Sequence, residues 1–163
     1  RGVAALEFGL LLPAMVSALV GAVETFRAVQ AYGKAVSAVQ TVADLTARAD
    51  SQSAAAMAAI ATAAQRVMDP LPTTPQSMGI HVASVAFGAA GSTTTQWSFT
   101  WGSGAVPVPL SKASGLGKQG ESVVMVSFHY AYLPLLRDVL GPLSFNETAV
   151  ARPRVTRVIP YTG

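Results

Sequence analysis

The sequence has no cysteine among its 163 residues, and charged residues make up only 12% of it. The missing cysteines exclude a disulfide scaffold and any zinc or redox site built on thiolates. Because soluble domains carry about 25% charged residues, half that share indicates that much of the surface lies out of water. Intrinsic disorder is also excluded, since 51% of the residues are hydrophobic and the net charge is only +3.

Residues that could carry catalysis are equally scarce. The two histidines, His81 and His129, each lie inside a strand-like pattern and lack metal-ligand spacing. The 11 basic residues are scattered along the chain, which is not typical of a nucleic-acid-binding surface. We therefore expect no catalytic residue, metal, cofactor, nucleic acid or small-molecule substrate. A membrane-anchored hydrolase, the weakest alternative, would need a polar cluster around one of these histidines in the folded protein.

A long apolar run opens the chain. No residue from Phe8 to Val23 is charged, and Glu7 is the only charged residue from Val3 to Val23. These 21 residues would rise about 31 Å as a helix, close to the hydrocarbon thickness of a bilayer. A secretory signal peptide would have a shorter apolar core followed by a change of pattern, whereas helix-compatible sequence continues here to about Ala49. The run predicts a membrane-spanning helix in contact with lipid.

Two residues are unusual in such a helix. Glu7 places an ionisable group in the apolar run, where it indicates a function; alternatively, it lies at the headgroup level near the helix start, where the helix dipole favours a carboxylate. Pro13 has no N–H, so the carbonyl of Gly9 loses its helical partner and a kink is expected. The alternative is an ordinary membrane proline that neighbouring helices tolerate.

From Glu24 to about residue 50 the predicted helix becomes amphipathic. Its polar residues recur at spacings of three and four: Arg27, Gln30, Lys34, Ser37, Thr41, Asp44 and Arg48. Its offset apolar stripe consists of Phe26, Val29, Tyr32, Val36, Val39 and Val42. We expect the apolar stripe to pack on a domain or a neighbouring helix while the polar face stays in water. The spacings of Glu24 with Arg27 and of Asp44 with Arg48 predict surface ion pairs.

The remainder of the chain predicts one helix followed by strands. Residues 51–68 form an alanine-rich second helix that Ser51 or Ser53 could cap, and a proline-rich connector over residues 69–75 ends it. Four strands are predicted: Ile80–Phe87, Thr94–Trp101, Ser122–Tyr132 and Thr148–Ile159. Pro153 interrupts the last, which should therefore be an edge strand or contain a bulge. Strands that follow helices indicate an α+β fold with a small antiparallel sheet of about four strands.

The opening residues carry a resemblance to a known family. Arg1-Gly2-Val3-Ala4-Ala5-Leu6-Glu7-Phe8, followed by Gly9-Leu10-Leu11-Leu12-Pro13, strongly resembles the start of TadE-like proteins. These are minor pseudopilins of the tight-adherence (Flp, type IVc) pilus. The segment Val23-Glu24-Thr25-Phe26-Arg27 resembles the end of the family's membrane part. The close resemblance covers about residues 1–45.

The resemblance implies a site at the N-terminus. Gly2 would precede the cleavage site of a prepilin peptidase, which recognises Gly2, Val3, Glu7 and Phe8, so residues 1–2 would be the remnant of a leader. Val3 would be the mature N-terminus and Glu7 the fifth mature residue. Glu7 would pair with the N-terminal amine of a neighbouring subunit, and Pro13 would also serve subunit assembly.

The resemblance also implies an organisation and a function. Residues 3–50 would be a pilin-like N-terminal helix with a membrane part (3–23) and an amphipathic part (24–50), and residues 51–163 an extracytoplasmic head. The protein would be a non-enzymatic component of the pilus or its assembly, single-pass in the bacterial inner membrane, with a cytoplasmic N-terminus and a periplasmic head. Its partners would be other pilus subunits, inner-membrane assembly proteins and the prepilin peptidase; entry into the filament stays open. The alternative is an uncleaved bitopic anchor that presents a periplasmic binding module.

Overall fold

Two helices and a four-stranded sheet make up the fold, in a computed structural model that describes residues 2–135, 137 and 141–162. The elements are α1 (Val3–Arg48), α2 (Ala54–Met68), β1 (Met78–Phe87), β2 (Thr93–Trp101), β3 (Ser122–Tyr132) and β4 (Leu143–Ala151). The predicted α+β class with a four-stranded antiparallel sheet is confirmed. The predicted leader residue Arg1 lies outside the described residues.

Helix α1 is a single 46-residue helix, as the continuous helical pattern predicts. It contains Pro13 without ending there, and the hydroxyl of Ser17 donates a hydrogen bond of 2.8 Å to the Pro13 carbonyl. Only its second half packs on the rest of the protein, against α2, β3 and β4.

The face of α1 that packs differs from the predicted apolar stripe. Val39 and Val42 are buried as predicted, but Phe26, Val29 and Tyr32 are exposed. The buried positions are largely small residues: Ala31, Ala35, Ala38, Val39, Val42, Ala43 and Ala47. The prediction followed the large side chains, whereas alanines at helical spacing let α1 approach α2 and the sheet closely, so the alanine side of the helix faces the core.

Helix α2 starts later than predicted. The side chain of Ser53, not Ser51, caps it by accepting a hydrogen bond of 3.2 Å from the amide of Ala56. The preceding Gln52 instead pairs with the C-terminal segment, since its amide donates to the Pro160 carbonyl at 2.9 Å and its carbonyl accepts from the Thr162 amide at 2.8 Å. One side of α2 faces the core with Met57, Ala61, Ala64 and Met68.

The sheet has the order β2-β1-β3-β4, with every neighbouring pair antiparallel. The bounds of β3 match the prediction, and those of β1 and β2 differ from it by two residues or fewer at their starts. β4 is an edge strand as expected, but it covers Leu143–Ala151 rather than residues 148–159. The prediction was wrong because Pro153 cannot donate to a ladder and restricts the residue before it, so pairing ends before the proline.

The two faces of the sheet are covered differently. One face packs on α1 and α2 and forms the main core, to which half-buried Trp97, Phe99 and Trp101 of β2 contribute. The other face is covered by the segment between β2 and β3, forming a smaller cluster: Ala83, Val85, Phe87, Val108, Ala113, Val123 and Met125. β3 is buried over almost its whole length, because it lies inside the sheet with both faces covered.

Candidate functional site

Residues 3–23 of α1, called here the membrane half, form an exposed apolar surface. Leu6, Leu10 and Leu19 are 76%, 82% and 66% exposed. Among the described residues, α1 is the one helix long and apolar enough to cross a membrane, and none of its most apolar stretch is buried within the protein. Apolar surface of this extent is stable only out of water. The membrane half therefore indicates a membrane anchor.

Glu7 lies on this exposed surface near the start of α1, next to Phe8, which is 58% exposed. Gly2 is the residue before the helix, and its carbonyl accepts a hydrogen bond of 3.3 Å from the amide of Leu6. Glu7 makes no ion pair with any residue that the structure describes. A carboxylate in apolar surroundings needs a partner, and for Glu7 that partner is not a described residue of this chain.

The remaining predicted site residues lie along the same helix. Val3 is the first residue of α1 and 69% exposed, and Pro13 lies about one and a half turns beyond Phe8. Gly2, Val3, Glu7 and Phe8 thus lie within about two turns at one end of a bare helix, far from the head. Their roles in processing and assembly stay predictions.

A second carboxylate, Glu24, lies where the membrane half meets the head. It is 2% exposed and accepts hydrogen bonds from the hydroxyl of Tyr132 at 2.7 Å and from the amide of Leu135 at 3.1 Å. The predicted ion pair with Arg27 does not form, because the carboxylate of Glu24 points into the head rather than along the helix surface. The hydroxyl of Tyr132 and the amide of Leu135 thus replace the hydrogen bonds that water would donate to an exposed carboxylate.

The hydroxyl of Tyr132 is held as a donor in this arrangement. Burial raises the pKa of Tyr132, and the hydrogen bond and negative charge of Glu24 raise it further. The tyrosine therefore stays protonated at neutral pH and continues to donate to the carboxylate. Sequence reasoning missed this contact, since Glu24 and Tyr132 are 108 residues apart. The only sequence signal was the position of Glu24, the first charge after the apolar run.

Aromatic rings continue this junction along α1. Tyr32 packs edge-on against Phe145 of β4 with ring centroids 5.7 Å apart, and Phe145 stacks on Tyr132 at 6.2 Å. The rings join α1, β3 and β4 about two turns beyond Glu24. A hydrogen bond with Glu147 and its negative charge raise the pKa of Tyr32.

Two more polar contacts hold residues 24–48 of α1, called here the head half, against the head. The ammonium of Lys34 donates to the carbonyls of Val67 and Asp69 at the end of α2, where a cation is favoured by the helix dipole. Asp44 pairs with Arg48, as predicted, and also with Arg154. With Glu24, these contacts fix the head along the whole head half.

The two histidines have local partners on the sheet. Nδ1 of His81 accepts a hydrogen bond from the Val108 amide at 3.4 Å, and burial lowers the pKa of His81. Nδ1 of His129 lies 2.8 Å from Oδ1 of Asn146 on β4. In the part of the chain that the structure describes, no three metal-ligand side chains come together. The polar cluster that the hydrolase alternative needs is not found around either histidine among the described residues.

One comparison with known proteins gives a match. The family model of the TadE-like proteins matches residues 2–44, which is the membrane half and most of the head half of α1. Neither a curated protein nor a solved structure matches the chain. The family suggests a membrane protein associated with the tight-adherence pilus, and the exposed apolar helix fits a membrane anchor. The resemblance of the opening residues to the TadE-like proteins is thus confirmed over residues 2–44, about a quarter of the chain.

Proposed function

We propose that this protein is a minor pseudopilin of a tight-adherence (Flp, type IVc) pilus, anchored in the bacterial inner membrane with its head in the periplasm. One observation carries the proposal. The TadE-like segment includes a bare apolar helix with a carboxylate near its start, and the other half of that helix holds a folded head. The role is structural, and we assign no catalytic residue.

The proposed assembly contact follows from the environment of Glu7. After cleavage between Gly2 and Val3 by a prepilin peptidase, the new amine of Val3 and the carboxylate of Glu7 would both lie in lipid. Each is costly to bury alone, and direct pairing between neighbouring subunits reduces the cost of both. Because the helix surface around Glu7 is free of the head, a neighbouring helix can approach it. Pro13, six residues further along the helix, is assigned to the same assembly contact.

The mature N-terminus tests this proposal. Mass spectrometry of the protein from the native cell envelope is expected to give a chain that begins at Val3. A chain that retains Gly2 and the residues before it would instead support the alternative, an uncleaved bitopic anchor that presents a periplasmic binding module.

A Gly2→Val variant provides the control for processing. A Cβ at Gly2 meets no atom within 4 Å, so the substitution leaves the packing of the described chain unchanged. If the peptidase acts at this site, the variant accumulates uncleaved at a normal protein level. Cleavage that proceeds unchanged in the variant would contradict the assignment of Gly2.

A further inference from the structure

Two exposed leucines follow β3. Leu133 and Leu135 are 67% and 66% exposed and flank Pro134, which is buried. A single exposed leucine is ordinary, but these two lie two residues apart in one short segment that is held against α1 through Glu24. Two large apolar side chains exposed together at this place indicate a contact with something other than water.

Glu24 fixes where this segment lies relative to the membrane half of α1. The amide of Leu135 donates to one carboxylate oxygen of Glu24, and the hydroxyl of Tyr132 donates to the other. Residues 133–135 are therefore held beside the turn of α1 at which its uncharged run ends.

The length of the apolar surface places that turn at the level of the bilayer boundary. The 21 residues of the membrane half, from Val3 to Val23, rise about 31 Å, which matches the roughly 30 Å of a bilayer core and puts Glu24 at its edge. Glu24 does not end the apolar surface, because the head buries its charge. The hydroxyl of Thr25 is also satisfied, by the Gly21 carbonyl at 2.8 Å.

The first exposed charge beyond Glu7 is consequently Arg27. Arg27 lies four residues, about 6 Å, beyond Val23, at the depth of the headgroup region. Its guanidinium lies near the Tyr132 hydroxyl, at the junction of α1 with the leucine segment.

We infer that Leu133 and Leu135 insert into the lipid interface on the head side of the membrane, beside residues 24–26 of α1. The phospholipid surface is the partner, and the head lies against the bilayer instead of standing off from it. Glu24 is the positioning residue, since it holds the leucine segment at that depth. The inference rests on the membrane anchoring in the proposed function.

Fluorescent labelling of single cysteines tests the inference in the full chain, and the cysteine-free sequence makes each label unique. The test variant is Leu135→Cys. Two controls match its exposure of 66%: Leu19→Cys in the membrane half, also 66%, and Val155→Cys in the head, 65%. Val155 follows Arg154, whose amide donates to the Ala47 carbonyl, about 35 Å beyond Glu24 along α1.

Each variant carries an environment-sensitive fluorophore and is reconstituted in vesicles of phosphatidylethanolamine and phosphatidylglycerol that contain nitroxide-labelled phospholipid. The labels at positions 19 and 135 are expected to shift to the blue and lose most of their fluorescence to the nitroxide. A nitroxide near the headgroup should quench the label at 135 best, and one deep in the acyl chains the label at 19. The label at 155 should remain unquenched.

The controls separate failure of the inference from failure of the proposed anchor. If the label at 19 is quenched while the label at 135 behaves like that at 155, the anchor stands and the lipid contact of the leucine segment is refuted. That result would leave a neighbouring subunit as the occupant of the segment. If the label at 19 is not quenched, the anchor itself is refuted, and the inference fails with it.

Discussion

In the membrane half of α1, large side chains such as Leu10 and Leu19 are exposed along the helix, whereas in the head half the residues removed from solvent are mostly alanines such as Ala35 and Ala38. Each half also contains one carboxylate near its start. Glu7 is exposed on bare helix, and Glu24 is buried with donors from the head. One continuous helix thus has two environments, bare in the membrane half and packed on the head in the head half. The size of the buried side chains and the partners of each carboxylate differ accordingly.

Glu7→Gln is the substitution with the largest expected effect. Pilus assembly should fail, because the amine of the neighbouring subunit loses its counter-charge in lipid, at a cost of several kcal/mol. Head folding and membrane insertion should be unchanged, since Glu7 contacts no part of the head. Electron microscopy of pili at matched protein levels measures the effect, with Glu121→Gln in a distal head loop as the control. Normal piliation of the Glu7 variant would end the pairing hypothesis.

Glu24→Ala should instead destabilise the head, by about 2–4 kcal/mol, because it leaves the buried Tyr132 hydroxyl and the half-buried Leu135 amide without an acceptor. Urea titration in detergent, followed by tryptophan fluorescence, measures this loss of stability. Both tryptophans, Trp97 and Trp101, lie on β2, so the fluorescence reports on unfolding of the head. Tyr132→Phe, which removes one of the two donors, should cost less.

Glu7→Ala is the matched control for the Glu24 variant and should leave the urea midpoint unchanged. If the two alanine variants shifted the midpoint equally, the contrast between the carboxylates would be lost.

Ala38→Leu tests the difference in size between the two halves. Ala38 is fully buried in the main core, so added methylenes must displace α2 or the sheet, at about 1–3 kcal/mol. Ala18→Leu makes the same change on the exposed membrane half and should not alter head stability. The urea midpoints of the two variants provide the comparison, and a midpoint unchanged by Ala38→Leu would show that the alanine face is not tightly packed.

Arg154→Ala should have a small effect. Its ion pair with Asp44 is partly solvated, with side chains 60% and 33% exposed, so the loss should stay below about 1 kcal/mol and shrink as salt is added. Arg66→Ala, in the more exposed pair with Asp69, should cost still less. A salt-independent loss above that range would show that Arg154 stabilises the head by packing instead.

The sequence by itself determined the elements whose signals are local. The uncharged run and the unbroken helical pattern predicted α1 to within one residue of its end at Arg48, and period-two alternation predicted β3 as Ser122–Tyr132. The family match confirms the resemblance of the opening residues. These features depend on neighbours within a few positions, so the pattern of side chains along the chain is sufficient to find them.

Only the tertiary structure decided which faces are buried and which distant residues meet. The alanine face of α1 is buried in preference to Phe26 and Val29 because close packing against α2 and the sheet favours small residues, which a search for large apolar side chains overlooks. Pro153 predicted a break, but the true strand, Leu143–Ala151, depends on its register with β3. The burial of Glu24 likewise depends on donors more than 100 residues away. Such contacts join parts of the chain that are brought together only by folding, so local periodicity carries no record of them.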